Sequence, residues 1–239
     1  MNYYDVPYGE SEKQKADIYV NDKCPDTVVY IHGCGLTGGD KGGNRFLDYL
    51  INEGYSVVSV NYRLYPEAKY PDYIEDGARA LSYVKQNAKK YGYGERISVI
   101  GNSAGAYILS MLLFDGKYLA EYGLKSCDFY AFILNSPQPT VHFNVLKERG
   151  VDSRAVIIDG ASPIYHVKEG KYPKILLITY ECDIFCRKEQ NILFSKVMEH
   201  FGIPHSFKIL KGEHCSAETP DENNEVRMLP LLKSVIQEG

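Results

Sequence analysis

The feature that most constrains the fold is a series of short apolar runs that alternate with longer amphipathic segments. Strands with one solvated face alternate polar and apolar residues, whereas strands covered on both faces of a parallel sheet do not. Five runs lack polar alternation through most of their length: residues 27–31, 56–60, 97–100, 129–134 and 174–179. The sequence therefore predicts a parallel sheet with helices on both faces.

Other segments complete the pattern. The more polar residues 3–6 and 15–20 suit edge strands, and residues 206–210 supply an eighth strand. Apolar residues at helical spacing predict helices at 45–53, 74–91, 104–114, 188–201 and 224–237. We expect an α/β fold, a three-layer α/β/α sandwich with a mostly parallel eight-stranded sheet.

The chain of 239 residues suits one domain, residues 1–239. Residues 136–166 fit the alternation poorly, so we expect a short insertion over the carboxyl edge of the sheet. The strands, their helices and this insertion account for nearly all of the length, which predicts a minimal cap and an open or shallow pocket.

One short motif suggests chemistry. Gly101-Asn102-Ser103-Ala104-Gly105 lies between a strand and an apolar helix. A G-x-S-x-G pattern in this setting is typical of a sharp turn that lifts a serine hydroxyl above the sheet, where small flanking residues are required. A serine hydroxyl is a weak nucleophile, so Ser103 needs a base beside it and donors for an oxyanion.

Three other segments that follow strands can supply these partners. Asp183 comes after the strand at 174–179, and His214 comes after the last strand. The glycine-rich turn that contains Cys34 and Gly35 follows the strand at 27–31, where backbone N–H groups can face a carbonyl oxygen. The N–H of Ala104, directly after the serine, is the complementary donor.

Alternative residues exist for two of these roles. Glu181 and Asp159 are rivals of Asp183, although Glu181 falls where the strand can still continue. Five other histidines are present, and we expect them to serve packing, solvated-loop or turn-organising roles: His32, His142, His166, His200 and His205. Of these, His142 could reach the pocket, but a solvated loop histidine is the preferred interpretation.

With these motifs in place, the chain resembles the α/β hydrolases, more narrowly the esterase/lipase branch related to hormone-sensitive lipase and the small carbohydrate-active (acetyl or feruloyl) carboxylesterases. The resemblance rests on segments along nearly the whole chain: Tyr30 to Gly35, Asn61 to Leu64, Pro66 to Ala68, Gly101 to Gly105, Ala161 to Ile164, and those around Asp183 and His214. It implies Ser103 as nucleophile, His214 as general base and acid, and Asp183 as the residue that orients His214. It also implies an oxyanion hole formed by the N–H groups of Cys34, Gly35 and Ala104.

One position departs from the family pattern. The family usually has His-Gly-Gly-Gly where this chain has His32-Gly33-Cys34-Gly35. Cysteine cannot use a positive φ as cheaply as glycine. Either Cys34 has an ordinary φ or the turn is strained. The Cys34 thiol also suggests a narrowed acyl pocket and a preference for small acyl groups. Candidate substrate contacts are Leu36, Tyr107 and Phe185.

Composition excludes several other functions. With 27 Lys+Arg against 31 Asp+Glu the net charge is −4, and like charges do not form long runs, so we expect no nucleic-acid partner. No apolar stretch is long enough to span a membrane. The six scattered cysteines and the absence of a recognisable signal predict free thiols and a cytoplasmic protein. We expect no metal site and no cofactor, and the sequence leaves the oligomeric state open.

The sequence therefore predicts a serine carboxylesterase that acts on a small-molecule ester through an acyl-enzyme on Ser103. The nearest alternative is an amidase, formamidase or peptidase on the same fold. A non-catalytic protein that binds a small molecule is a second alternative, which the intact Ser103, Asp183 and His214 disfavour.

Overall fold

The computed structural model describes residues 1–237 and has an eight-stranded sheet at its centre. The eight strands are β1 (Asn2–Pro7), β2 (Lys15–Tyr19), β3 (Asp26–Ile31), β4 (Ser56–Val60), β5 (Arg96–Asn102), β6 (Ala131–Asn135), β7 (Lys174–Cys182) and β8 (Ser206–Glu213). Every residue of β3, β4 and β6 is buried. This is the burial expected of parallel strands covered on both faces.

The strands lie side by side in the order β1-β2-β4-β3-β5-β6-β7-β8. From β4 to β8 all neighbours are parallel, while β2 runs antiparallel to both β1 and β4. The prediction of an edge position is therefore right for β1 and wrong for β2. Residues 16–18 of β2 are buried because β1 covers its outer side.

Seven α-helices flank the sheet within residues 1–237: α1 (Arg45–Asn52), α2 (Asp72–Tyr91), α3 (Ala104–Phe114), α4 (Lys117–Ala120), α5 (Phe143–Glu148), α6 (Arg187–His200) and α7 (Met228–Ile236). The buried residues of α1 and α7 pack together against one face of the sheet. Those of α2, α3 and α6 pack against the other. The three-layer α/β/α sandwich predicted from the sequence is confirmed.

The ends of three strands position the candidate site. β5, β7 and β8 each continue two or three residues beyond their predicted ends and finish at Asn102, Cys182 and Glu213. Ser103, Asp183 and His214 are the next residues in the chain. Since β5 to β8 are parallel, these three residues leave the sheet at the same edge.

The segment 136–166 lies between β6 and β7 as a largely irregular insertion. It contains α5 and one 3₁₀ turn, Pro163–His166. The Val141 N–H donates to the Ile157 carbonyl at 2.9 Å and closes the segment on itself. The Tyr107 hydroxyl on α3 donates to the Ala161 carbonyl at 2.8 Å, which fastens the insertion to the core.

One predicted helix begins later than expected. The segment 224–237 is helical only from Met228, at the start of α7. The Asp221 carboxylate accepts hydrogen bonds from the N–H groups of Asn223 and Glu225, both at 2.9 Å. These bonds close a turn, and this local capping competes with helix formation.

Candidate active site

Ser103 occupies a strained turn between β5 and α3. Its backbone angles, φ 52° and ψ −107°, are costly for a residue that carries a Cβ. A Cβ at Gly101 would lie 2.5 Å from the Gly105 backbone, and one at Gly105 would lie 2.1 Å from the Ile31 carbonyl oxygen. The sequence predicted small residues here, and the structure is stricter: both positions require glycine, because strand, turn and helix pack too closely for a side chain.

Ser103, His214 and Asp183 form one hydrogen-bonded chain. Ser103 Oγ lies 2.8 Å from His214 Nε2, and His214 Nδ1 lies 2.5 Å from Asp183 Oδ1. A carboxylate only accepts, so Nδ1 carries the proton and Nε2 is free to accept the serine proton. The structure thus brings together the three residues that the sequence placed at separate strand ends.

Several donors hold the Asp183 carboxylate. Its Oδ2 accepts from Ser136 Oγ at 2.6 Å and from Thr179 Oγ1 at 2.9 Å, and its Oδ1 accepts from the Ile184 N–H at 2.8 Å. Burial alone would raise the pKa of Asp183, but the hydrogen bonds from His214 and Ser136 outweigh it and hold the pKa below its usual value. Asp183 is therefore an anion at neutral pH.

Sequence reasoning missed Ser136 and Arg187 as supports of this carboxylate. Ser136 follows β6 at the same sheet edge and has a positive φ of 52°. The buried Arg187 guanidinium donates to the Ser136 carbonyl at 2.9 Å and to Gln138 Oε1 at 3.1 Å. Burial lowers the pKa of Arg187 to about 10, so it remains a cation at neutral pH. The position of Ser136 directly after a buried strand was the available signal.

The turn after β3 has a left-handed backbone. Cys34, Gly35 and Leu36 have φ values of 70°, 67° and 67°. Of the two possibilities left open by the sequence, the strained one is therefore correct, since Cys34 adopts the conformation that favours glycine. Cys34 is exposed, so its thiol faces solvent at the site.

The carbonyl groups of this turn indicate where its N–H groups point. The Gly33 carbonyl accepts from His32 Nδ1 at 3.1 Å, and the Cys34 carbonyl accepts from the Thr37 N–H at 3.3 Å. In a trans peptide the N–H points opposite to the C=O. The N–H groups of Cys34 and Gly35 therefore face away from these partners, and neither bonds an acceptor within residues 1–237. The Ala104 N–H, at the first turn of α3, is equally free within that range.

His32 organises the turn. Its ring stacks on Tyr62 with centroids 4.5 Å apart, and the Tyr62 hydroxyl donates to the His32 carbonyl at 3.0 Å. Burial lowers the pKa of His32, so the ring is neutral at neutral pH. Asn144 on α5 donates from its amide to the Gly35 carbonyl, which joins the insertion to the same turn.

The rival residues lie elsewhere. Glu181 is an exposed residue within β7, and Asp159 binds Arg149 at 2.6 Å. His205 bonds Ser195 at 2.7 Å on the opposite sheet edge. The interpretation of His142 as a solvated histidine is wrong, because it is 1% exposed and its Nδ1 accepts from the Asn144 N–H at 3.2 Å as the N-cap of α5.

Two of the three candidate substrate contacts are not accessible. Leu36 and Tyr107 are fully buried and belong to the core, so neither presents surface to a ligand. Phe185 is 93% exposed and lies two residues after Asp183. It lines a cavity of about 280 Å³ together with Phe143, Val156, Ile184 and Arg187, between the insertion and the loop that follows β7.

The chain is similar to one known protein family over part of its length and to a solved esterase structure over all of it. Residues 16–121, just under half of the chain, match the BD-FAE family. Over its full length the chain superposes on esterase B from Lactobacillus rhamnosis (HN001) with a TM-score of 0.79 and 19% identity, covering 86% of that chain. This likeness shows a shared fold.

Curated relatives match over shorter stretches. The carboxylesterase NlhH of Mycobacterium tuberculosis is 41% identical over 96 residues, which are 39% of this chain and 30% of the relative. The kynurenine formamidase of Danio rerio is 33% identical over 113 residues, which are 46% of this chain and 38% of the relative. The chain thus spans about a third of the length of these relatives.

No helix within residues 1–237 is long and apolar enough to cross a membrane.

Proposed function

We propose that this chain, which has the α/β-hydrolase fold, is a serine hydrolase that cleaves carboxylic esters. The observation that carries the proposal is the hydrogen-bonded chain from Ser103 through His214 to Asp183. The N–H groups of Cys34, Gly35 and Ala104, which bond no acceptor within residues 1–237, support it as candidate oxyanion donors. A nucleophile, a base, an orienting carboxylate and oxyanion donors are the parts that acyl transfer needs. Sequence likeness to an esterase over part of the chain supports the same reaction.

Acylation begins when Ser103 Oγ attacks the ester carbonyl carbon while His214 Nε2 takes the hydroxyl proton. The carbonyl oxygen becomes an oxyanion that accepts hydrogen bonds from the N–H groups of Cys34, Gly35 and Ala104. Asp183 stabilises the imidazolium through Nδ1. When the tetrahedral intermediate collapses, the bond to the alcohol oxygen breaks and His214 gives that oxygen the proton.

Deacylation repeats the sequence with water. His214 Nε2 takes a proton from water as its oxygen attacks the Ser103 ester, and the same donors hold the second oxyanion. Collapse releases the carboxylic acid and returns the proton to Ser103 Oγ. Every step uses side chains, backbone N–H groups and water, so the proposed reaction requires no cofactor.

The proposed substrate is a small-molecule ester with a small acyl group such as acetyl. Cys34 places an exposed thiol in the turn that would hold the oxyanion, where a glycine would leave more room for an acyl chain. The insertion contributes one short helix and leaves Phe185 exposed. These features favour an open pocket for the alcohol part of the ester. Acetylated sugars are substrates of this kind, whereas the feruloyl group of feruloylated sugars is a large aromatic acyl group.

Hydrolysis of p-nitrophenyl acetate tests the reaction. The Ser103→Ala variant keeps the backbone turn and removes the hydroxyl, so we expect loss of at least a thousandfold in kcat with unchanged far-UV circular dichroism, on the order of magnitude seen when a nucleophile is removed. Folded Ser103→Ala protein with wild-type turnover would refute the assignment.

A formamidase activity is the second candidate, and the match to a kynurenine formamidase favours it. The same serine, histidine and oxyanion donors can act on an N-formyl amide. Comparison of kcat/KM for matched O-acetyl, O-formyl and N-formyl compounds of one aryl alcohol and aryl amine separates the two. The esterase proposal predicts faster turnover of both esters than of the amide.

A further inference from the structure

A second buried carboxylate lies close to the proposed site and takes no part in the triad. Glu218 ends the 3₁₀ turn Ser216–Glu218, four residues after His214, and is 5% exposed. No Lys or Arg within residues 1–237 lies within 4 Å of its oxygens. A buried carboxylate without a cation is costly unless several donors satisfy it.

Three neutral donors satisfy Glu218. Its Oε2 accepts from the Tyr30 hydroxyl at 2.8 Å and from Asn102 Nδ2 at 2.5 Å, and its Oε1 accepts from Asn135 Nδ2 at 2.9 Å. Burial raises the pKa of Glu218, and the hydrogen bonds from Asn135, Asn102 and Tyr30 act against that rise. All three partners donate, which is the pattern that an ionised carboxylate requires.

The three donors lie at the ends of three neighbouring strands, β3, β5 and β6, close to the proposed machinery. Asn102 ends β5 and directly precedes Ser103. Asn135 ends β6, and its carbonyl accepts from the Ser103 N–H at 2.8 Å. Tyr30 lies on β3, two residues before the turn that begins at His32. One carboxylate therefore joins the loop that carries His214 to the residue before Ser103, to the end of β6 that binds the Ser103 N–H, and to β3 just before the turn of Cys34 and Gly35.

A second layer of hydrogen bonds closes this network. The Tyr180 hydroxyl donates to Asn135 Oδ1 at 2.7 Å and accepts from the Ala217 N–H at 3.2 Å. Asn44 Nδ2 donates to the Tyr30 hydroxyl oxygen at 2.7 Å. Fully satisfied buried networks rigidify the elements that they join, and here those elements carry the nucleophile and its base.

We propose that Glu218 is a positioning residue for the reaction. It lies in the loop that carries His214 and binds Asn102, the residue before Ser103, so that it fixes Ser103 Oγ relative to His214 Nε2. The inference rests on the proposed function. It deepens that function by assigning a residue that touches neither substrate nor the reacting atoms. Replacing the carboxylate with an amide puts an NH₂ group against an asparagine donor and loosens the contact between the two loops.

The test compares Glu218→Gln and Glu218→Asp with a matched control, Asp26→Asn. Asp26 is also a buried carboxylate, 6% exposed, but it begins β3 at the opposite sheet edge and pairs with Arg96 at 2.7 Å. For p-nitrophenyl acetate we expect Glu218→Gln to lower kcat on the order of 10- to 100-fold with KM within about twofold, as expected for a misplaced reacting group. Glu218→Asp keeps the charge and should recover part of kcat, while Asp26→Asn should lose thermal stability and keep kcat.

A spectroscopic readout separates this proposal from the proposed function. The ¹⁵N resonance of His214 Nε2 reports the hydrogen bond from Ser103 whether or not any ester is cleaved. We expect Glu218→Gln to move this resonance toward its position in Ser103→Ala, and Asp26→Asn to leave it unchanged. An unmoved resonance, or equal losses of kcat in Glu218→Gln and Asp26→Asn, would overturn the positioning role.

A milder substitution covers the case in which Glu218→Gln does not fold. Asn102→Ala removes the donor from the serine side of the same contact and leaves the carboxylate with two partners. It should reduce kcat and move the Nε2 resonance in the same direction. Wild-type kcat and an unmoved resonance in folded Asn102→Ala would count against the proposal. Absence of hydrolysis in the wild type, with the resonance changes present, would instead refute only the esterase assignment.

Discussion

Two left-handed residues, Ser103 and Cys34, determine where the reacting groups lie. Their φ values of 52° and 70° are unfavourable for residues with a Cβ, and strain of this kind persists only where the surroundings enforce it. At Ser103 the close packing of Gly101 and Gly105 enforces the turn. At Cys34 the flanking carbonyls bond His32 and the Thr37 N–H, so the N–H groups of Cys34 and Gly35 face away from these partners.

The strain at Cys34 leads to a prediction for Cys34→Gly. A left-handed backbone costs a non-glycine residue about 1–2 kcal/mol, and glycine costs about 0.5–1 kcal/mol in chain entropy. The free energy of unfolding should therefore stay unchanged or rise by up to about 1.5 kcal/mol, as measured by denaturant titration. The profile of p-nitrophenyl ester hydrolysis should shift toward longer acyl chains.

Cys34→Ala is the matched control for that substitution. It removes the sulfur and keeps the Cβ, so the acyl profile should broaden while the backbone strain remains. If both variants keep the wild-type preference, or if the wild type already prefers long acyl chains to acetate, Cys34 does not set acyl size.

The lowered pKa of Asp183 predicts how stability depends on pH. The folded carboxyl holds its proton less tightly than the unfolded one, so its contribution is complete above the unfolded value of 3.8 and is lost as pH falls through the folded pKa. Asp183→Asn lacks this ionisation. The difference in free energy of unfolding between wild type and Asp183→Asn should be constant above about pH 5 and shrink toward lower pH. A difference that widens in acid would contradict the assignment of the lowered pKa.

The three residues of the hydrogen-bonded chain could be predicted from the sequence, and the residues that support them could not. Ser103, Asp183 and His214 each come directly after a recognisable buried strand. Ser136 and Glu218 have no motif of their own, and their roles depend on side-chain contacts across 47 and 116 residues of chain, to Asp183 and Asn102. Cys34 shows the other limit, because a sequence does not reveal whether packing will force a positive φ.

At the scale of elements, the site depends on how closely α3 approaches β3. The helix begins directly after Ser103, and Gly105 in its first turn lies against the backbone of Ile31 and His32. This contact brings the first turn of α3 close to the end of β3, which the turn of Cys34 and Gly35 follows. The predicted helix bounds of 104–114 are confirmed, because the apolar run and the glycine pattern fix both ends of the element. The bounds of the short insertion helix α5 were not predictable, since its N-cap is an unusual buried histidine.

Gly105→Ala tests this approach. Its Cβ would lie 2.1 Å from the Ile31 carbonyl oxygen, a backbone atom that cannot rotate away. Helix and strand must separate, so we expect a loss of about 1–3 kcal/mol in the free energy of unfolding, together with a lower kcat as the proposed oxyanion donors move apart. Thermal denaturation and p-nitrophenyl acetate kinetics measure the two effects.

Gly116→Ala is the control for the steric argument. Its Cβ would meet no atom within 4 Å, and its φ of −62° suits alanine. The free energy of unfolding should stay within about 0.5 kcal/mol of wild type, as for an ordinary surface change. Equal destabilisation by both substitutions would show that close packing at Gly105 is not the cause.

Across the whole molecule, the sheet gathers distant parts of the chain at one edge. The proposed nucleophile, orienting carboxylate and base lie at positions 103, 183 and 214, and the parallel strands β5, β7 and β8 bring them to the same edge of the sheet. The strand pattern was enough to predict this architecture, because uninterrupted apolar runs are typical of parallel strands that are buried on both faces of a sheet. The order of strands in the sheet was not predictable from the runs alone, as the inner position of β2 shows.

The central claim is that Ser103 becomes acylated during turnover, and one measurement tests it directly. Rapid mixing with excess p-nitrophenyl acetate, acid quench and mass spectrometry of the digested protein should reveal one acetyl group on the peptide that contains Ser103. Folded Ser103→Ala should carry no such group. Ester hydrolysis by the wild type with acetyl found on another residue, or with equal labelling of Ser103→Ala, would contradict the account.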